Sequence, residues 1–148
     1  MIALDTNVLV SAHRQDVPLH QRAAVAVRKL VEGRASWAIP LPCIGEFLSV
    51  VTGGRVFGRP STVAQALAQL DAWVASPSAT LLGETPATWP VLRDLVRDGN
   101  LTGRRVHDAR IAAICLGHGV RELWTADRDY GRFPALRTRN PLTAQGRG

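Results

Sequence analysis

The stretch Ile2-Ala3-Leu4-Asp5-Thr6-Asn7-Val8-Leu9-Val10 opens the chain, and its first apolar residues predict a short β-strand that ends at an acid. Carboxylates avoid apolar surroundings unless something neutralises them. The position of Asp5 therefore indicates that this strand delivers a carboxylate to a site. A divalent metal ion is the natural neutraliser of such a group.

Further along the chain, short apolar strands alternate with helical patterns. Strands are predicted at 36–39, 80–82, 122–126 and 136–139, and helices at 19–32, 42–52, 61–74, 88–98 and 107–117. This alternation favours right-handed crossover units and a parallel sheet that is covered on both faces. We therefore predict an α/β fold, a three-layer α/β/α sandwich with a parallel five-stranded sheet.

One of these helices carries two detailed expectations. Ser61 is the predicted N-cap, because a serine follows a loop rich in glycine and precedes an apolar pattern. The apolar stripe of this helix is predicted at Val63, Ala66, Leu67, Leu70 and Val74.

Length and composition indicate one domain. The chain has 148 residues, 46% of them hydrophobic, which suffices for one sizeable core. We expect the domain to span residues 1–141 and to be followed by a short flexible tail at 142–148. The sequence lacks a signal-peptide pattern and an uncharged apolar run of roughly 18 residues, so we expect a cytoplasmic protein without a membrane span. Cys43 and Cys115 stand among apolar residues and are expected to be buried thiols.

The charge of the chain points to a polyanionic partner. The net charge is +6, and Lys29 is the only lysine, so nearly all the positive charge is carried by arginine. Arginine presents a planar fork of donors that matches phosphate, which favours a partner such as RNA. Arg55, Arg59, Arg104 and Arg105 lie on two basic loops and are candidates for binding RNA phosphates, the alternative being that they are solvated loop arginines.

Three more acids accompany Asp5. Asp127 follows the fourth predicted strand, Asp108 opens a helix whose positions i+3, i+4 and i+7 are apolar, and Glu46 is the only charge in its helix. We expect Glu46 and Asp108 to point inward. Because sites in parallel sheets form at the carboxyl ends of the strands, the four acids are predicted to meet in one pocket. Such hard oxygen ligands select Mg²⁺ or Mn²⁺, which suits phosphodiester hydrolysis by an activated water.

Two of these acids have simpler explanations that stay open. Asp108 fits a helix N-terminus, where the macrodipole favours a carboxylate. Asp127 fits a turn that its own side chain caps.

Four segments together resemble a known family. Beside the opening stretch they are Pro42-Cys43-Ile44-Gly45-Glu46-Phe47, Val106-His107-Asp108-Ala109-Arg110-Ile111-Ala112-Ala113 and Leu123-Trp124-Thr125-Ala126-Asp127-Arg128-Asp129-Tyr130. In this order they resemble the PIN-domain ribonucleases, and within them the VapC toxins of bacterial toxin–antitoxin pairs. The resemblance runs from Met1 to about Pro141.

The resemblance implies a site and an activity. It makes Asp5, Glu46, Asp108 and Asp127 the catalytic and metal-binding quartet, with Asn7 and Thr125 as polar supports. Asp129 is a candidate to share the role of Asp127. The resemblance also implies dependence on Mg²⁺ or Mn²⁺, endonucleolytic cleavage of RNA, a homodimer, and inhibition by a cognate VapB-type antitoxin.

Two other functions compete with this interpretation. Phosphoryl transfer through an aspartyl phosphate also places an acid after the first strand of an α/β sheet. However, Asp5 is followed by Thr6 and Asn7 rather than by a second acid, and Lys29 is far from any predicted strand end. The other alternative is a catalytically silent PIN-like RNA-binding or regulatory module, against which the four intact carboxylates argue.

Overall fold

The computed structural model describes residues 1–144 as a five-stranded parallel sheet with six α-helices. Residues 145–148, the end of the predicted tail, lie outside the described residues. Leu142, which the sequence assigned to the tail, is buried, and Arg22 Nη1 donates to its carbonyl oxygen at 3.3 Å. Packing therefore continues past residue 141. In the part of the chain that is described, no helix is long and apolar enough to cross a membrane.

Along the chain, each of the first three strands is followed by two successive α-helices. The elements are β1 (Ile2–Leu4), α1 (Thr6–His13), α2 (His20–Glu32), β2 (Trp37–Pro40), α3 (Leu41–Thr52), α4 (Val63–Val74), β3 (Ala79–Leu82), α5 (Thr88–Gly99), α6 (Arg105–Gly117), β4 (Glu122–Trp124), a 3₁₀ turn (Arg128–Arg132) and β5 (Thr138–Arg139). The sheet order is β3-β2-β1-β4-β5, and every pairing is parallel. The predicted α/β class and parallel five-stranded sheet are confirmed.

The central position of β1 decides where a site can form. β1 pairs with β2 on one side and with β4 on the other, and Leu4 lies opposite Trp124. The chain order reverses at β1, so the loops after β1 and β4 diverge at the carboxyl edge and leave a crevice between them. Asp5 and Thr125, the residues that follow these two strands, are thereby brought side by side.

The core lies between the sheet and its helices. Helix α1 packs on α2 and α3, and α3 packs on α4, whereas α5 and α6 pack on each other. Phe47 is fully buried and makes an edge contact with Trp73, with ring centroids 5.5 Å apart. Cys43 and Cys115 are buried and free of disulfide bonds, as the sequence predicted.

Helix α1 was missed by the sequence analysis. Its residues continue the apolar character of β1, so the 3.6-residue period is hard to see over only eight residues. Asp5 begins this helix as its N-cap, since its side chain accepts from the Thr6 amide at 2.8 Å. The acid at the end of β1 therefore also turns the chain into a helix.

Both detailed expectations about α4 need correction. The N-cap is Thr62, which forms a reciprocal capping box with Gln65, and Ser61 instead donates its amide to the Val51 carbonyl at 2.8 Å. The buried face is Ala66, Leu70 and Trp73. Val63, Leu67 and Val74 are 64%, 46% and 40% exposed. The helix is apolar around much of its circumference, and the large Trp73 ring determines which side faces the core.

Candidate active site

A cleft of about 1110 Å³ opens at the carboxyl edge of β1 and β4. Acidic, basic and apolar side chains share its walls. The acids that line it are Asp5, Glu46, Asp108, Asp127 and Asp129. The four acids predicted to meet in one pocket therefore do line one cleft, together with Asp129.

Asp5 is held by four donors at the base of this cleft. It is only 5% exposed. Its Oδ1 accepts from the Thr6 amide at 2.8 Å and from Cys43 Sγ at 3.7 Å. Its Oδ2 accepts from Thr125 Oγ1 at 2.8 Å and from Asn7 Nδ2 at 3.1 Å. A carboxylate with both oxygens engaged in this way has one fixed orientation.

The surroundings of Asp5 disfavour its charged form. The pKa of Asp5 is raised from 3.8 to about 6, mainly by burial and in smaller part by the charges of Glu46 and Asp108, while the hydrogen bonds from Thr125 and Thr6 lower it. The pKa of Asp108 is also raised, first by burial and then by Asp127, Asp129 and Glu46. The acids of the cleft therefore repel one another, and a cation among them would relieve that repulsion.

Asn7 and Thr125 form one network that joins α1 to the segment after β4. Asn7 Nδ2 donates to Thr125 Oγ1 at 3.1 Å, and Asn7 Oδ1 accepts from the Ala126 amide at 2.9 Å. Thr125 Oγ1 also accepts from the Asp127 amide at 3.0 Å. The two predicted supports therefore contact Asp5 on one side and fix the backbone of Asp127 on the other.

Glu46 differs from expectation because it is exposed rather than inward. The buried residues of α3 are Cys43, Phe47 and Val51, and Glu46 lies one position before Phe47, about 100° around the helix. Its Oε2 accepts from Thr6 Oγ1 at 3.0 Å. Glu46 therefore faces the cleft from the solvent side.

Thr6 is a site residue that the sequence analysis overlooked. Its amide donates to Asp5 and its hydroxyl donates to Glu46, so one residue connects two carboxylates that are 41 positions apart. The available signal was a threonine directly after a strand-end acid, at the first position of a helix. That signal was hidden because α1 itself was not predicted.

Asp108 and Asp127 each stand at the start of a helical turn and also line the cleft. Asp108 stands half-buried in the first turn of α6, and its i+3, i+4 and i+7 neighbours are buried as predicted. Asp127 caps the following 3₁₀ turn, because its Oδ1 accepts from the Asp129 amide at 2.8 Å. The turn-cap explanation of Asp127 is therefore correct, and the same side chain also lines the cleft.

The chemistry of the cleft suits a hard divalent cation held partly by water. Across residues 1–144, no three His, Cys, Asp or Glu side chains are grouped tightly enough to hold an ion among them. Mg²⁺ does not require such a cage, because it keeps several waters and uses one or two carboxylates. The carboxylate oxygens that line the cleft and the raised pKa of Asp5 both fit a cation of this type.

The candidate RNA-binding arginines fall into two groups. Arg104 and Arg105, at the start of α6, line the cleft. Arg55 and Arg59 are exposed on the loop after α3 and are not lining residues, whereas Val56 and Phe57 of the same loop are. This loop therefore forms one wall of the cleft with its apolar residues.

The buried side chain of Arg14 holds that wall in place. Arg14 is 9% exposed, and its guanidinium lies 4.1 Å from the centre of the Phe57 ring. Arg14 Nε donates to Asp16 Oδ1 at 2.8 Å, and Nη1 donates to Ser61 Oγ at 3.2 Å. The loop is therefore tied to α1 at both Phe57 and Ser61.

Comparison with known proteins matches nearly the whole chain. The sequence profile of the PIN domain matches residues 2–136. Ribonuclease VapC43 of Mycobacterium tuberculosis (strain ATCC 25618 / H37Rv) is 34% identical over 145 residues, which cover 98% of both chains.

Two solved structures share the fold. VapBC2 from Rickettsia felis, crystallised with a DNA fragment from its promoter, gives a TM-score of 0.69 at 18% identity over 95% of this chain and 98% of that chain. VapC20 of Mycobacterium tuberculosis, described as a sarcin–ricin loop cleaving toxin, gives a TM-score of 0.63 at 19% identity over 88% and 93%.

Proposed function

The chain belongs to the PIN domain family, and on that basis we propose that it is a metal-dependent endoribonuclease and the toxin of a type II toxin–antitoxin pair. The observation that carries the proposal is the convergence of Asp5, Glu46, Asp108 and Asp127 on one cleft. A catalytically silent module would have no use for four mutually repelling carboxylates around one opening. The name of the relative VapC43 supports the same activity.

The carboxylates would hold Mg²⁺ or Mn²⁺ against the buried end of the cleft. Asp5 is the best placed of them, because four donors fix its orientation before any cation arrives. Glu46, Asp108 and Asp127 complete the negative field, and Asp129 adds to it. When bound, the cation supplies a water of lowered pKa and charge stabilisation for the phosphate being cleaved.

The supporting residues keep the carboxylates in position. Thr6 holds Glu46 through its hydroxyl, and the Asn7–Thr125 network holds Asp5 while it fixes the start of the turn that carries Asp127. Such preorganisation matters because like charges that are free to move would separate. We therefore assign Thr6, Asn7 and Thr125 as positioning residues.

The basic residues of the cleft would receive the RNA. Arg104 and Arg105 stand on its wall, where a phosphate near the acids would otherwise be repelled. Arg55 and Arg59 extend the positive charge along the neighbouring loop. An RNA-cleaving toxin of this type would act in the cytoplasm, where its substrate is found.

A VapB-type antitoxin is the proposed partner. The similarity to VapBC2 from Rickettsia felis supports this assignment. Homodimerisation remains a prediction from the family resemblance, and sedimentation of the purified protein would measure it.

The chemistry of the cut ends tests the proposed activity. Attack by water does not use the 2′-hydroxyl of the RNA, so the products should carry no 2′,3′-cyclic phosphate. We expect Asp108→Asn to lower cleavage by at least about 100-fold, the scale of losing a preorganised charge in a reaction site. Cyclic phosphate ends, or cleavage that persists in chelator, would contradict the proposal.

A further inference from the structure

A second cleft, of about 560 Å³, lies between α2 and β5, and the proposed reaction does not use it. Three cations line it: Arg22 and Lys29 from α2, and Arg139 from β5. None of its lining residues is acidic, and within residues 1–144 none of the three cations forms a salt bridge. The α2–β5 cleft is therefore a concentration of unpaired positive charge.

The aromatic wall of this cleft is fixed in orientation. Trp124 Nε1 donates to Glu122 Oε1 at 2.8 Å, and Arg137 Nε donates to the other carboxylate oxygen of Glu122 at 3.1 Å. The guanidinium of Arg139 lies 5.5 Å from the centre of the Trp124 ring. Because Glu122 is already paired, Arg139 stays over the indole face with its donors free for an anion.

The cations of α2 have a regular spacing. Arg22 and Lys29 are seven residues apart on one helix face, which separates them by about 10 Å along the axis. Between them, Val25 and Ala26 form an apolar strip on the same wall of the cleft. Positive charges on either side of this apolar strip suit a single nucleic acid strand, which offers a row of phosphates. Trp124 is only 7% exposed and supports Arg139 rather than a base.

The two clefts are neighbours along the chain. Trp124 lines the second cleft and Asp127 lines the first, so their Cα atoms are at most about 11 Å apart. On the other side, Val17 of the first cleft is four residues from Gln21 of the second. A stacked strand advances roughly 3.4 Å per nucleotide, so about three nucleotides would cover the distance from Asp127 to Trp124.

We propose that the α2–β5 cleft binds phosphates of the RNA strand a few nucleotides from the bond that is cut. This inference rests on the proposed ribonuclease function and adds a second contact region to its substrate. The shared chemistry is a phosphate anion, which an RNA strand, a mononucleotide or inorganic phosphate could supply. The proximity of the acidic cleft favours the strand.

Salt-dependent binding of RNA tests the inference. The probe is a labelled single-stranded RNA of about 12 nucleotides, a length within the usual site size, and chelator prevents cleavage. Arg22→Gln and Arg139→Gln should each weaken binding several-fold. Each should also reduce the slope of log K against log salt by about 0.7. Arg34→Gln is the matched control, because Arg34 is exposed, precedes β2 on the far side of β1 from β5, and lines neither cleft.

Substrate length separates this inference from the proposed function. Arg139→Gln should lower kcat/KM for the 12-nucleotide RNA and leave cleavage of a dinucleotide unchanged, because a dinucleotide is too short to extend from the acidic cleft to the α2–β5 cleft. If the wild type cleaves RNA and all three variants bind it equally well, the inference is wrong and the ribonuclease stands. If the wild type neither binds nor cleaves RNA, both fail.

Competition experiments distinguish the other occupants. Inorganic phosphate or a mononucleotide that binds through Arg139 without affecting the RNA would make this a small-anion site and overturn the assignment. Binding of a polyglutamate peptide that depends on Arg22 and Arg139, when RNA binding does not depend on them, would also overturn the assignment. RNA that is released progressively as the salt concentration rises, and that phosphate, a mononucleotide or polyglutamate at constant ionic strength does not displace, supports the RNA strand as the occupant.

Discussion

The hydroxyl of Thr125 donates to Oδ2 of Asp5 across 2.8 Å, joining the residues that follow β4 and β1. The same hydroxyl oxygen accepts from the Asp127 amide at 3.0 Å. One side chain thereby sets the orientation of one acid and the backbone position of another. Because the hydrogen bond favours the carboxylate form, Thr125 also moderates the raised pKa of Asp5.

Replacing Thr125 should shift the pH dependence of cleavage. Thr125→Val removes a hydrogen bond that lowers the pKa of Asp5, so that pKa should rise above its present value of about 6. The acid limb of the rate profile should move to higher pH. The pH profile of kcat/KM measures this, and Thr125→Ser, which keeps the hydroxyl, should leave the limb in place. An unchanged limb in Thr125→Val would contradict the assigned role.

Asp5 should make the metal-free protein less stable as the pH rises. The folded-state pKa of about 6 lies above the unfolded value of 3.8, so the folded protein binds more protons between these values. The stability due to protonated Asp5 is present below pH 4 and is lost as pH rises through about 6. The loss is at most about 3 kcal/mol.

Urea unfolding in chelator at pH 4 and pH 7 measures this loss. Asp5→Asn has no titrating carboxyl at this position, so its free energy of unfolding should fall less over the same interval. Acids away from the cleft titrate alike in both proteins and cancel in the comparison, whereas Glu46 and Asp108, no longer repelled by Asp5, change the difference in the same direction. Equal pH dependence of the two proteins would show that burial does not raise the pKa of Asp5.

Divalent metal should raise the melting temperature of the wild type. A cation that binds only the folded protein stabilises it by about 2.7 kcal/mol at 100 times its dissociation constant. The gain should be larger at pH 7.5 than at pH 5, because Asp5 must lose its proton to act as a ligand. Thermal melts with Mg²⁺, Mn²⁺ and Ca²⁺ provide the measurement. A wild type that melts identically with and without millimolar Mg²⁺ or Mn²⁺ counts against the metal site.

The Arg14–Phe57 contact should affect substrate binding more than the chemical step. Arg14→Met removes the contact between the guanidinium and the Phe57 ring, which is worth about 1 kcal/mol. The loop after α3, which forms one wall of the cleft, is then held less firmly. We expect KM to increase several-fold while kcat changes little. Phe57→Leu should have the same effect, and Arg28→Met, an exposed change on α2, should have none. A fall in kcat with an unchanged KM would place Arg14 in a different role.

The sequence was most informative where an acid interrupts an apolar pattern. Asp5 and Asp127 follow apolar strands, and Asp108 precedes the buried face of α6, so their approach to one edge of the sheet follows from topology. Glu46 was harder, because a helix that is apolar on several faces does not show which face is inside. The prediction placed Glu46 inward, whereas it reaches the cleft from the exposed side.

Contacts between distant segments could not be predicted from sequence. The bonds from Thr6 to Glu46 and from Asn7 to Thr125 depend on the exact packing of α1 against α3 and the end of β4. The predicted N-cap of α4, Ser61, was wrong for a similar reason. The Ser61 hydroxyl contacts His13 and Arg14, and Thr62 caps the helix instead. Local propensity is a weak guide where tertiary hydrogen bonds compete for a side chain.

Cleavage of total bacterial RNA by the wild type, Asp5→Asn and Asp98→Asn is the most direct measurement of the central claim. Asp98 is the matched control, since it is an exposed acid on α5 outside both clefts. With Mg²⁺ or Mn²⁺, the wild type and Asp98→Asn should produce discrete fragments, and Asp5→Asn, folded by circular dichroism, should produce none. Chelator should abolish all cleavage. Fragments from folded Asp5→Asn, or from the wild type in chelator, would contradict the account.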